Sequence, residues 1–78
     1  MEHILKTYLA EQLKSFRKDA KLTQEELAAQ IGRTAEAISN IERANSSPTL
    51  DTLLALSETL ERPLRDFFSL YLDLHLLS

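Results

Sequence analysis

The chain has 78 residues, a net charge of −3 at pH 7, one glycine, two prolines and no cysteine. That length holds one domain, residues 1–78, with a modest core that favours oligomerisation, and the lack of cysteine excludes disulfides and thiolate zinc sites. No stretch approaches the ~18 apolar residues that cross a bilayer, and the start has neither the basic residues nor the apolar run of a signal peptide, so a soluble cytoplasmic protein with no membrane partner is expected.

Leu, Ala, Glu, Gln and Lys dominate, β-branched residues are scattered, and only Pro48 and Pro63 interrupt, which predicts an all-α protein of several helices joined by short loops. From Ile4 to Ala20, Leu5, Leu9, Leu13, Phe16 and Ala20 recur every three to four residues, with Ile4 and Tyr8 widening the stripe, as in an amphipathic helix. That helix should stop near Lys21, where a lysine must accept the mild strain of a left-handed terminator. Thr23-Gln24-Glu25-Glu26 then offers a hydroxyl and, three residues on, a carboxylate, the capping box of a second helix ending near Ile31.

Thr34 caps a third helix running to about Arg43, with Ile38 and Ile41 turned inward, so only Gly32 and Arg33 separate it from the second. Average usage would put about five glycines in this length, so the single one suggests a backbone position that tolerates little else. Gly32 suits the residue just past the second helix, which takes positive φ, and Ala28 is small enough for two helices to approach there. The arithmetic is that of a helix-turn-helix.

Asn45 to Pro48 reads as a loop, Thr49 as the cap of a fourth helix with the stripe Leu50, Leu53, Leu56 and Leu60, and Pro63 as part of the first turn of a fifth. The final segment, FFSLYLDLHLLS, alternates like a half-buried strand yet also aligns Asp66, Ser69 and Asp73 on one helical face. Leucine is a strong helix former and β-branched residues are absent here, so 67–77 is predicted as helix.

The net negative charge conceals an uneven distribution. Lys14, Arg17, Lys18, Lys21, Arg33 and Arg43 fall before residue 44, and Asp51, Glu58, Glu61, Asp66 and Asp73 after residue 50, which leaves one basic surface available. No cysteine nucleophile, phosphate-cradling glycine loop or metal-ligand cluster is visible, and His3 and His75 lie near opposite ends and read as solvated side chains. An enzyme, a metal site and a cofactor are not expected.

The stretch LTQEELAAQIGRTAEAISNIE, followed by SSPTLDTLLALSETL, resembles the phage repressor and Cro class of regulators, the Xre family. Gln24, Leu27, Ala28, Gly32, Ile38, Ser39, Ile41 and Glu42 carry the likeness, which covers about Leu13 to Phe68. It implies a five-helix, lambda-repressor-like domain with its helix-turn-helix in helices two and three, binding double-stranded operator DNA as a homodimer to regulate transcription. In size and in its segments outside the common core the chain also looks like the controller proteins of restriction–modification systems.

By motif position, Thr34, Ala35, Glu36, Ser39 and Asn40 would read base edges in the major groove. Asn40 suits adenine, Glu36 the cytosine amino group and Ala35 a thymine methyl, while a guanine contact would come from Arg33 or Arg43. Gln24 resembles the family's phosphate-anchoring glutamine, and Arg33, Arg43, Asn45 and Ser46 would add phosphate contacts. Lys14, Lys18 and Lys21 either extend these or form a solvated face. Arg17 and Glu42 resemble a charged pair that ties the first helix to the end of the third. Lys21, Ala44 and Glu61 depart from the pattern, standing where relatives often have glycine, and Asn45 is the candidate to make the stop that Ala44 cannot.

Leu54, Phe68, Leu70, Tyr71, Leu74 and Leu77 form an apolar patch suited to a two-fold dimer. Two recognition helices in successive major grooves, about 34–36 Å apart, would require a pseudo-palindromic operator. The alternative is an antitoxin-type interaction module that holds a partner protein with its C-terminal apolar segment.

Overall fold

The computed structural model describes the chain over residues 2–69. Four α-helices follow one another: α1 (Glu2–Asp19), α2 (Gln24–Ile31), α3 (Ala35–Glu42) and α4 (Leu50–Leu60). A 3₁₀ turn, Leu64–Phe67, comes after them, and no strand occurs among the described residues. The fold is all-α.

Three of these helices start on a threonine. The side chains of Thr23, Thr34 and Thr49 accept hydrogen bonds from the backbone N–H groups of Glu26, Ala37 and Thr52, each three residues on. At α2 the exchange is reciprocal, since Glu26 Oε1 accepts from the Thr23 N–H at 2.8 Å. Each cap satisfies a donor that the helix itself leaves unpaired, worth about 1 kcal/mol.

The ends follow one rule as well. After each helix the chain passes through a left-handed residue: Lys21 (φ 60°), Gly32 (φ 69°), Ala44 (φ 59°) and Glu61 (φ 54°). Around each, two N–H groups turn back to carbonyls of the last turn. Lys21 donates to Lys18 at 2.9 Å and Leu22 to Arg17 at 3.2 Å; Ala44 donates to Ile41 at 3.0 Å and Asn45 to Asn40 at 2.9 Å. Gly32 with Arg33, and Glu61 with Arg62, repeat the pair. This is the Schellman closure, used four times and only once with glycine. The left-handed backbone expected at Lys21 is present, and Ala44 and Glu61 share it. One expectation is corrected: Asn45 does not supply the stop, because Ala44 takes it despite its Cβ.

The core lies where the helices converge. Leu9, Leu13 and Phe16 of α1 meet Leu27 and Ala28 of α2, Ile38 and Ile41 of α3, and Leu53, Leu56 and Leu60 of α4. Burying a side chain of this kind contributes about 1.5–3 kcal/mol. Phe67 enters from the 3₁₀ turn, 1% exposed, with its ring edge-on to Phe16 at a centroid distance of 5.1 Å. The Arg62 guanidinium lies over the Phe16 ring, 4.6 Å from its centroid, and reaches Asp19 at 3.2 Å, joining the exit of α4 to α1.

The apolar stripes are narrower than the sequence suggests. Ile4 is 50% exposed and Leu50 64% exposed, because each stands at or near the first turn of its helix, beyond the packed layer. The expected fifth helix differs too. Pro63 precedes the 3₁₀ turn in an extended conformation (φ −55°, ψ 144°) instead of entering a first α-turn, and the tighter turn is what delivers Phe67 to the core. The helix expected over 67–77, with Leu70, Tyr71, Leu74 and Leu77, lies outside the described residues beyond Ser69.

Candidate nucleic-acid interface

At Gly32 the chain leaves α2, and within two further residues Thr34 is capping α3 from extended backbone (φ −92°, ψ 154°). This corner and the core together decide which side of α3 faces out. Ile38, Ile41 and Glu42 are buried, so the opposite side of the 3.6-residue helix presents Glu36, Asn40 and Arg43 as one stripe. Thr34, Glu36 and Arg43 are exposed, whereas Ala35, Ser39 and Asn40 are half-buried. Of the expected base readers, Ala35 sits nearest the covered side, while Glu36 and Asn40 are on the outward one.

A buried charge pair clamps the far end of α3. Arg17 Nε donates to Glu42 Oε2 at 2.6 Å and Nη2 to Oε1 at 3.0 Å, a two-pronged contact whose side chains are 11% and 1% exposed. The remaining prong, Nη1, donates to the Leu22 carbonyl at 2.8 Å. Its hydrogen bond to Glu42 raises the Arg17 pKa above the ordinary value, burial opposes the shift, and the carboxylate's charge adds to it. One guanidinium thus ties α1, the loop before α2 and the end of α3 together. Among the described residues no buried polar side-chain atom lacks a partner.

Gln24 joins the same cluster. Its Nε2 donates to Glu42 Oε1 at 3.1 Å, which brings the start of α2 against the end of α3. Gln24, Arg43, Asn45 and Ser46 are therefore gathered at one end of α3. Arg33 lies at the other, about 12 Å of helix away, with Nη1 turned to the Gly32 carbonyl at 3.4 Å. Asn45 and Ser46 are exposed, and their N–H groups both point to the Asn40 carbonyl, at 2.9 and 3.3 Å. Lys14, Lys18 and Lys21 are exposed.

Two contacts were not visible in the sequence reading. The Gln24 link spans eighteen residues and has no local signature. The other is a 2.8 Å hydrogen bond from Arg43 Nη2 to Asn40 Oδ1, for which the three-residue helical spacing was the available signal. As for the apolar patch, Leu54 is 43% exposed and Phe68 packs partly against the core. Among the described residues no helix is long and apolar enough to cross a membrane, and no three His, Cys, Asp or Glu side chains gather as metal ligands would.

Comparison with known proteins points the same way. The helix-turn-helix family model HTH_3 matches residues 13–67. The chain is similar to an HTH_3 family transcriptional regulator from Vibrio cholerae, with a TM-score of 0.81 and 33% identity over 88% of this chain and 39% of that one. It is also similar to the P22 c2 repressor protein solved with synthetic operator 9T in the presence of Tl+, with a TM-score of 0.72 and 32% identity over 76% of this chain and 89% of that one. The chain thus spans about two fifths of the Vibrio cholerae regulator. No curated protein matches it significantly.

Proposed function

This chain belongs to the HTH_3 helix-turn-helix family, and from that premise we propose that it is a sequence-specific DNA-binding transcriptional regulator whose helix-turn-helix is α2 and α3. The observation that carries the reading is the outward stripe of α3. Glu36 and Arg43 stand on it exposed with Asn40 half-buried between them, on a helix fixed at one end by the Gly32 corner and at the other by the Arg17–Glu42 pair. A helix so held can enter a major groove without ordering itself first, and its polar side chains meet the donors and acceptors displayed there.

Docking would be set by phosphates. The amides at the start of α2 and the second amide hydrogen of Gln24 would meet one strand, and exposed Asn45 and Ser46 would extend that contact. Arg33 would reach the backbone from the other end of α3, with Lys14, Lys18 and Lys21 as further cationic partners. Net charge does not oppose this, because residues 1–43 carry seven acidic and seven basic side chains and the net −3 arises from the five acidic and two basic residues after them. The protein would act as a homodimer on a pseudo-palindromic operator, with exposed Leu54 contributing to the subunit contact.

In-vitro selection of bound DNA from a random pool, repeated at two salt concentrations, tests this. A palindromic motif should emerge. Asn40→Ala should relax one position of it, whereas Gln24→Ala should weaken binding to all sequences alike. A pool that enriches no motif would overturn the reading.

A further inference from the structure

We propose that Asn40 and Arg43 form a single donor-rich reading unit that selects guanine, with Arg43 acting as the residue that sets which base Asn40 reads. The inference rests on the DNA-binding reading above and deepens it to a base preference.

A free asparagine amide reads adenine because it offers both halves of the match: Oδ1 accepts from the adenine N6 amino group while Nδ2 donates to N7. In this structure one of the two lone pairs of that oxygen is already taken. Arg43 Nη2 donates to Asn40 Oδ1 at 2.8 Å, and both side chains lie on the outward stripe of α3, three residues apart. The contact has two consequences. It orients the amide, since the oxygen turns toward residue 43 and the nitrogen faces away from it. It also engages the acceptor with a charged donor, a stronger bond than an adenine amino group can make.

With the oxygen turned toward Arg43, what the pair presents is mainly donor. Asn40 contributes its Nδ2 hydrogens, and Arg43 contributes the N–H groups that the Asn40 oxygen does not use, since a guanidinium carries five and accepts none. The guanine edge, with N7 and O6 side by side, is the two-acceptor edge of the major groove, whereas adenine sets its N6 donor against the pair. Neighbouring groups do not disturb the assignment. Glu36, one turn before Asn40 on the same stripe, makes no ion pair among the described residues, where the ion pairs involve Arg17 and Arg62 instead of Arg43. The Asn40 carbonyl is separately occupied by the Asn45 and Ser46 N–H groups, which fixes the backbone from which the side chain projects.

The test is selection from a random pool with four proteins: wild type, Asn40→Ala, Arg43→Met and Arg33→Met. Asn40→Ala identifies the position that residue 40 reads, as the one that relaxes. At that position wild type should prefer guanine over adenine by about tenfold, the size of one good two-point contact. Arg43→Met frees Oδ1 and should move the preference to adenine, while Arg33→Met removes the same charge elsewhere and should weaken all sites with guanine retained. Adenine preferred by wild type overturns the inference and leaves the DNA-binding reading standing. So does an Arg43→Met protein that loses affinity uniformly with guanine unchanged, which would make Arg43 a phosphate contact only. A wild-type pool with no enriched motif overturns both. If Arg43→Met fails to fold, the wild-type preference at the position that Asn40→Ala relaxes still decides the matter, and Asn40→Ser identifies that position should Asn40→Ala fail to fold.

Discussion

The chain leaves α2 at Gly32 and α3 at Ala44 through nearly the same backbone, φ 69° and φ 59°, yet one exit is a glycine and the other carries a methyl group. Space does not explain the difference, because a Cβ built at Gly32 meets no heavy atom within 4 Å. What separates the two exits is their surroundings. Glu42, just before the α3 exit, is buried and accepts three hydrogen bonds, two from Arg17 and one from Gln24. The α2 exit has an exposed glycine followed by an exposed arginine. A left-handed conformation costs a non-glycine residue roughly 1–2 kcal/mol. At α3 that cost is overruled by tertiary contacts; at α2 the residue type removes it.

If this contrast is right, the largest effect comes from removing what holds the α3 exit. Arg17→Ala leaves the Glu42 carboxylate buried with only Gln24 as a partner and should destabilise the domain by about 3–5 kcal/mol. Against a total stability of order 5–15 kcal/mol, that puts a chain this small near unfolding at ordinary temperature. Urea denaturation followed by circular dichroism measures it. A loss below ~1 kcal/mol would show that the clamp is idle and that Ala44 is tolerated for another reason.

The next effect is smaller and local. Gly32→Ala should cost about 0.5–1 kcal/mol: the left-handed strain, less the entropy that alanine removes from the unfolded chain. For a domain of this size the midpoint of thermal unfolding falls by several degrees, at ~4–8 °C per kcal/mol. A much larger loss would mean that the α2–α3 corner depends on glycine for more than its φ.

These contrasts also show where sequence reading succeeds and where it stops. Thr23, Thr34 and Thr49 could be recognised as caps because each partner lies three residues away on the same chain segment. The inward Ile38 and Ile41 followed from periodicity alone. The lone glycine correctly marked the α2 exit and Lys21 was expected to share its backbone, but Ala44 was expected to leave the stop to Asn45, whereas it takes the left-handed conformation itself. Core burial can force Lys21, Ala44 and Glu61 into that region, and burial is a property of the assembled fold. The same limit hid the Gln24–Glu42 contact, whose partners are distant in sequence, and the exposure of Leu50, whose spacing matches a stripe that the packed layer does not reach. The Arg17–Glu42 pair was legible only through the family likeness, because nothing within α1 or α3 singles out those two side chains.

The smallest expected change is the most demanding of the comparison. Ala44→Gly relieves the strain at the α3 exit but adds disorder to the unfolded chain, for a net gain of about 0.5–1 kcal/mol. Placed together with Gly32→Ala, it moves the glycine from one exit to the other. The two positions occupy different turns and share no hydrogen-bond partner, so their effects should add, and the exchanged protein should unfold within a few tenths of a kcal/mol of the original. That near-zero sum is a sharper statement than either single change, because it requires the two turns to be energetically equivalent once residue type is set aside. If the exchange instead costs much more than ~1 kcal/mol, the α3 exit must be gaining from the alanine methyl, and the likeness of the two backbones would hide a difference in packing.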